Sequence, residues 1–206
     1  MKENNWVILA LVMLLVLLSC RKGYQPPWNN ESLQPINCDN LLSYTEDFFD
    51  ETWYRNSVKV INNATLDPNG SPNADLIDFS SDSLESRLYQ RRFDLEPGTY
   101  SFSIFLKAAE EVSSTHAIGI NFEGEENSWN KSIVKINDST WTRGEVRIKT
   151  NKAGSIAVYP AYALIKGGQA NRVFAWGAQL NEMKNISPAP PSYCGKNVIL
   201  GKGEGY

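Results

Sequence analysis

Histidine is almost missing from this chain of 206 residues, at one copy, and cysteine occurs three times. Little is therefore available for a metal cluster or an imidazole-based catalytic centre. A basic excess is missing too. Twenty Lys and Arg stand against 23 Asp and Glu, for a net charge of -3. Phosphates would go unneutralised, so nucleic acid is not an expected partner. What the chain does have is an apolar fraction of 42%, enough for a core and too much for wholesale disorder. The length allows one domain plus extras. Binding or structural work is expected, not catalysis, and no cofactor.

Residues 6–18 form an apolar run without a charge, preceded by Lys2. As a helix the run would rise about 20 Å, short of the roughly 30 Å hydrocarbon core, so it reads as a secretory signal. Leu17-Leu18-Ser19-Cys20 follows and resembles the lipobox of bacterial lipoproteins. That resemblance implies removal of residues 1–19, acylation of Cys20 and a membrane partner held through that lipid; each buried CH₂ contributes about 0.8 kcal/mol. Arg21 and Lys22, not Asp, come next, which suggests the outer membrane of a Gram-negative envelope. The competing reading is an uncleaved anchor helix with Cys20 incidental.

Gly23, Pro26, Pro27 and Pro35 make residues 20–37 a polar tether. The domain is expected over 38–186. Ser187-Pro188-Ala189-Pro190-Pro191 then opens a Pro- and Gly-rich tail, 187–206. Cys38 and Cys194 flank the domain. In an oxidising compartment a bridge between them is expected, closing a long loop for about 5 kcal/mol in the entropic account. Two free thiols are the alternative.

Within the domain the period is two. Tyr100, Phe102, Ile104 and Leu106 share one face; Ile118, Ile120 and Phe122 share another, as do Val146 and Ile148. Strands are also expected at 52–61, 74–79, 85–95, 155–165 and 172–180. Pro68-Asn69-Gly70, Pro97-Gly98, Asn137-Asp138 and Gly167-Gly168 supply turns between them. The fold class is all-β, an antiparallel sandwich.

Asn40-Leu41-Leu42-Ser43-Tyr44-Thr45-Glu46-Asp47-Phe48 with Trp53, the 100–108 stretch, Trp141, and the closing Phe174-Ala175-Trp176-Gly177-Ala178-Gln179-Leu180 resemble a jelly-roll module. It is common in phage tail and virion proteins and in secreted bacterial proteins. The resemblance spans about residues 40–182, is similar to carbohydrate-binding jelly rolls, and implies fold more strongly than ligand.

If one sheet is open, alternation places Phe105, Ser103, Asn121, Tyr159 and Gln179 on it, with small Ala175 and Gly177 leaving room. Rings beside amides suit a sugar. The bland alternative is a solvated face, or one covered by protein. Trp53, Trp141 and Trp176 read as core; Trp129, after an acidic loop, reads as an exposed stacking candidate. Arg91, with Arg87 and Arg92, would serve an acidic glycan, or form a charged face balanced by Glu85 and Asp94. A structural Ca²⁺ at Glu123, Glu125 and Glu126 is unsupported by their spacing, and a solvated turn fits better. His116 reads as a surface or core-edge residue. Two function classes follow: a lipid-anchored glycan-binding module, or an interaction protein that docks a protein partner in an envelope or virion assembly. A small hydrolase is the weakest reading.

Overall fold

The period-two segments become ten strands among the described residues, which are 39–79, 86–110, 114–123, 128–162, 170–184 and 193–194 of a computed structural model. These residues belong to the second of two units of the chain, Asn37–Tyr206. The signal, the lipobox, the whole tether and Cys38 lie outside the described residues.

The strands are β1 (Tyr54–Asn56), β2 (Lys59–Thr65), β3 (Ala74–Asp78), β4 (Arg87–Leu95), β5 (Gly98–Ala108), β6 (Ser114–Phe122), β7 (Trp129–Ile136), β8 (Thr142–Thr150), β9 (Gly154–Tyr162) and β10 (Arg172–Glu182). A front sheet runs β1-β4-β9-β6-β7 and a back sheet β2-β3-β10-β5-β8. Every pairing is antiparallel. Only β2 to β3 and β6 to β7 stay within one sheet; at every other step along the chain the strand crosses to the opposite sheet, giving a jelly-roll sandwich. The expected fold class is the observed one.

Core side chains come from alternate positions of both sheets. Phe102, Ile104 and Leu106 from the back meet Ile118, Ile120, Phe122, Ile156 and Val158 from the front, each no more than 2% exposed. The expected strand at 52–61 divides into β1 and β2 around Ser57, whose φ is +52°. Strand β7 was not anticipated. It lies at a sheet edge, and its first half, Trp129-Asn130-Lys131-Ser132, has no buried position on either face and so offers no apolar alternation.

The opening segment closes one end of the core. Leu42, Phe48 and Trp53 are buried there, so Trp53 is core as expected. Asn40 clasps β10: its Nδ2 donates to the Ala178 carbonyl at 3.1 Å, and its Oδ1 accepts from the Leu180 and Leu42 amides at 3.1 Å each. Asp67 accepts from the Asn69 and Ser71 amides and shapes the turn at Gly70, where φ is +86°.

Three expectations need correction. Trp176 is buried at 4% exposure but faces away from the inter-sheet core. A bulge in β10 between Trp176 and Gln179, with Gly177 at φ +67°, adds a residue and reverses the side-chain phase. For the same reason Ala175, expected on the open face, points into the core with Ala178 and Leu180. Trp141 is half-buried outside the core, with the Lys107 ammonium 5.2 Å from its ring.

Candidate functional site

The outer face of the front sheet carries a row of four aromatic rings. Tyr54 on β1 pairs in register with Tyr89 on β4, and their rings stack at 5.1 Å and 17°. Tyr89 stacks on Tyr159 of β9 at 5.3 Å and 27°. Trp129, from edge strand β7, lies 4.5 Å from Tyr159. The row crosses the strands because it follows their register. Strand β6 lies between β9 and β7 and places Gly119 opposite Tyr159; the missing side chain there lets Trp129 lean inward.

A second bulge aims Tyr159. The register of β4 on β9 shifts between Leu88↔Ala161 and Gln90↔Val158, so Tyr159 and Pro160 together oppose Tyr89. Proline is tolerated at such a point because its missing N–H is not required by the ladder. The Pro160 carbonyl accepts a hydrogen bond from His116 Nε2 at 3.0 Å.

The two ends of the row are open: Tyr54 is 54% and Trp129 44% exposed, while Tyr159 between them is 5% exposed. Burial pushes the Tyr159 phenol above its ordinary pKa, keeping it protonated as a donor. The Arg91 guanidinium sits 5.2 Å from the Tyr89 centroid and pairs with Glu123 at 2.8 Å. Arg91 is 37% exposed, so that pair is worth at most about 1 kcal/mol. Asn121, half-buried, stands in register with Trp129 and accepts from the Ser128 hydroxyl at 3.2 Å.

The expected site residues thus divide. Trp129, Tyr159, Asn121 and Arg91 share the front face, and Trp129 is exposed as expected. Phe105 and Gln179 do not join them. Both sit on β5 and β10 of the back sheet, and that face is covered. Tyr193 packs on Trp176 at 4.5 Å and edge-on to Phe105 at 6.0 Å. Gln179 is fully buried, its Oε1 accepting from the Cys194 amide at 3.1 Å and its Nε2 donating to Asn181 Oδ1 at 2.6 Å. It is a structural amide and presents nothing to a ligand. Gly177 likewise lies under Tyr193.

Tyr54 and Tyr89 escaped the sequence reading, although the signal was present. Each follows an inward residue, Trp53 and Leu88, and so must point out. Arg91 pairs with Glu123; among the described residues Asp94 makes no ion pair with it, and the expected partner Glu85 lies outside the described residues, as do Glu125 and Glu126. No group of three or more acidic, His or Cys side chains positioned for a metal occurs among the described residues. His116 is not at the surface or the core edge. It is completely buried, beside Phe79 at 5.9 Å, and burial lowers its pKa to about 4.

The fold is an all-β jelly-roll sandwich, and solved structures share it. Among solved structures the chain is similar to the CBM22-1 xylan-binding domain of Xyn10C from Paenibacillus barcinonensis, at 12% identity and TM-score 0.52, covering 72% of this chain and 97% of that one. It is equally similar to the C-terminal family 22 carbohydrate binding module of Clostridium thermocellum Xyn10B, at 13% identity and TM-score 0.52, covering 72% and 99%. The tandem CBM22-1-CBM22-2 domain of the Paenibacillus protein aligns at 12% identity and TM-score 0.53, covering 74% of this chain and 47% of that one. At these identities the likeness is one of fold. No family model matches the sequence, and no curated protein matches it.

Proposed function

We propose that this protein is a non-catalytic glycan-binding module, moored to a cell-envelope membrane by an acylated Cys20. The observation that carries the reading is the row Tyr54–Tyr89–Tyr159–Trp129 on the outer front face. The exposed end rings, Tyr54 and Trp129, offer surface to the C–H faces of sugars and are braced by Tyr89 and the buried Tyr159, and Arg91 and Asn121 flank them with polar groups that bond hydroxyls. Successive ring centroids stand 5.1, 5.3 and 4.5 Å apart, so the exposed rings at its ends are separated by at most about 15 Å. An extended oligosaccharide fits that distance; a single sugar does not. That the modules similar in fold are carbohydrate-binding, one of them xylan-binding, supports the ligand class.

The anchor and the bridge complete the proposal. Asp39, the neighbour of Cys38, accepts from Asn181 Nδ2 at 3.2 Å, while Cys194 donates its amide to Gln179. Two adjacent outward positions of β10 thus hold the chain next to each cysteine, which supports a Cys38–Cys194 disulfide. The outer membrane is the location we favour, from Arg21 and Lys22 after the lipobox.

Binding is tested on an oligosaccharide microarray with wild type, Trp129→Ala and Tyr54→Ala. Retention that both variants share with wild type overturns the site; no retention by wild type overturns the glycan reading. Cys20→Ala is expected to move the protein from the membrane to the soluble fraction. Intact mass after thiol blocking, with and without reduction, reports the bridge.

A further inference from the structure

We propose that the outer face of the back sheet holds a second ring-binding pocket, specific for a saccharide, and that Tyr193 occupies it in this structure. The pocket is independent of the front row and lies on the opposite sheet. Trp176 forms its floor, with the Tyr193 ring at 4.5 Å and 52°; Phe105 forms a wall, edge-on at 6.0 Å and 88°. At the far end the Tyr193 hydroxyl donates to Glu46 Oε1 at 2.7 Å and lies 3.4 Å from Thr45 Oγ1. Gly177 makes room: a Cβ there would stand 2.9 Å from Tyr193 Cε2. A floor, a wall and a carboxylate are thus arranged around a six-membered ring carrying a hydroxyl, and a pyranose has the same outline.

The phenol is an incomplete occupant. Trp176 Nε1 and Arg143 Nε are buried donors without a hydrogen-bond partner. Arg143 flanks the pocket, its guanidinium 5.4 Å from the Phe105 centroid and its terminal nitrogen donating to Ser103 Oγ at 2.8 Å. A tyrosine ring offers no oxygen beyond its hydroxyl, whereas a sugar carries oxygens around its whole rim. Unmatched buried donors beside an occupied aromatic cradle point to a ligand richer in acceptors than the residue now there. Tyr193 then acts as an intramolecular competitor, and apparent affinity is reduced by the fraction of time the pocket is open.

The test uses the full chain on a microarray of neutral and acidic oligosaccharides, followed by calorimetry on the best-retained one. Tyr193→Ala is expected to bind at least one oligosaccharide about tenfold more tightly than wild type, the competitor being gone. The gain should persist in the Trp129→Ala background and vanish on adding Phe105→Ala. A cooperatively folding Tyr193→Ala protein with no gain, or a gain indifferent to Phe105→Ala, overturns the proposal. If Tyr193→Ala does not fold, Tyr193→Phe keeps the ring and drops the Glu46 bond. A smaller Phe105-dependent gain supports the pocket in that case, and no gain overturns it. Because Trp129→Ala removes only the front site, failure of the front-face reading leaves this outcome separately readable.

Discussion

The Trp129 indole lies 4.5 Å from the Tyr159 ring although their strands, β7 and β9, are not neighbours. The gap is bridged over Gly119 of β6. An exposed ring from a sheet edge therefore lies against a buried one, and the row Tyr54–Tyr89–Tyr159 is extended to the edge of the sheet. Its support is rigid, since each ring rests on a neighbour fixed by strand register.

Trp129→Ala is accordingly expected to weaken glycan binding without unfolding the domain. An aromatic stacking contact is worth about 1 kcal/mol beyond its buried area, or roughly a fivefold to tenfold rise in Kd. Tyr54→Ala, at the other open end, should do the same, and the two losses should add because the rings lie far apart. Calorimetric titration of the single and double variants with the best-retained oligosaccharide measures this. A double variant no weaker than either single one would mean that the ligand does not span the row.

How much of this could be read from the chain follows from what alternation encodes. It says which side of a strand a residue faces, and for Tyr100 to Leu106 and Ile118 to Phe122, where no bulge intervenes, it is right at every position. It does not say which sheet the strand joins. Phe105 and Gln179 were grouped with Asn121 and Tyr159 because all four point outward, yet they point outward from opposite sheets. Trp176 shows a second failure: one added residue at Gly177 reverses the phase, and that glycine's positive φ is not visible in the pattern. The resemblance to a jelly roll pointed to the observed fold, although two of its residues, Trp141 and Trp176, lie outside the inter-sheet core. Its opening Asn40 and its closing Ala178 and Leu180, 138 and 140 residues away, hydrogen-bond to each other.

That clasp predicts a stability effect. Asn40→Ala leaves the Ala178 carbonyl and the Leu180 and Leu42 amides without their partner. Each stranded buried group costs about 1–3 kcal/mol, so a loss of about 3 kcal/mol or more is expected. Urea unfolding should show a lower midpoint with an unchanged slope. A midpoint within error of wild type would mean that the segment around Asn40 contributes nothing to the global fold.

Two buried groups titrate in overlapping windows with opposite sense. His116, held neutral by burial, has its pKa lowered from 6.5 to about 4. The unfolded chain therefore binds a proton that the fold refuses, and stability falls as pH drops from 6.5 towards 4. Asp75 is raised from 3.8 to about 6, chiefly by burial, with Asp47 adding repulsion against the Phe48 and Asn63 amides it accepts from. Here the fold favours the protonated acid, and stability falls as pH rises from 3.8 to 6. Each swing is on the order of 3 kcal/mol, so they largely offset. His116→Phe should expose the Asp75 slope, with stability declining from pH 4 to 6 more steeply than in wild type. As the single histidine, His116 also gives one imidazole signal by NMR, which should show no titration above about pH 5. A midpoint near 6.5 would contradict its burial.

A close approach between the sheets at Gly144 predicts a compensating pair. A Cβ on Gly144 of β8 would stand 2.5 Å from Val134 Cγ2 and 3.1 Å from Ile118 Cδ1, so glycine is required there for spacing, its φ not being among the positive ones. Gly144→Ala should overpack the core by about 1–3 kcal/mol. Val134→Ala alone should destabilise by removing buried methyls, yet in the Gly144→Ala background it clears the collision and fills part of its own cavity. The double variant is therefore expected to be more stable than Gly144→Ala alone, with a coupling on the order of 1 kcal/mol or more in a double-mutant cycle. Strict additivity would show that the two sheets separate to admit the methyl, and that their spacing at β8 is not fixed by these side chains.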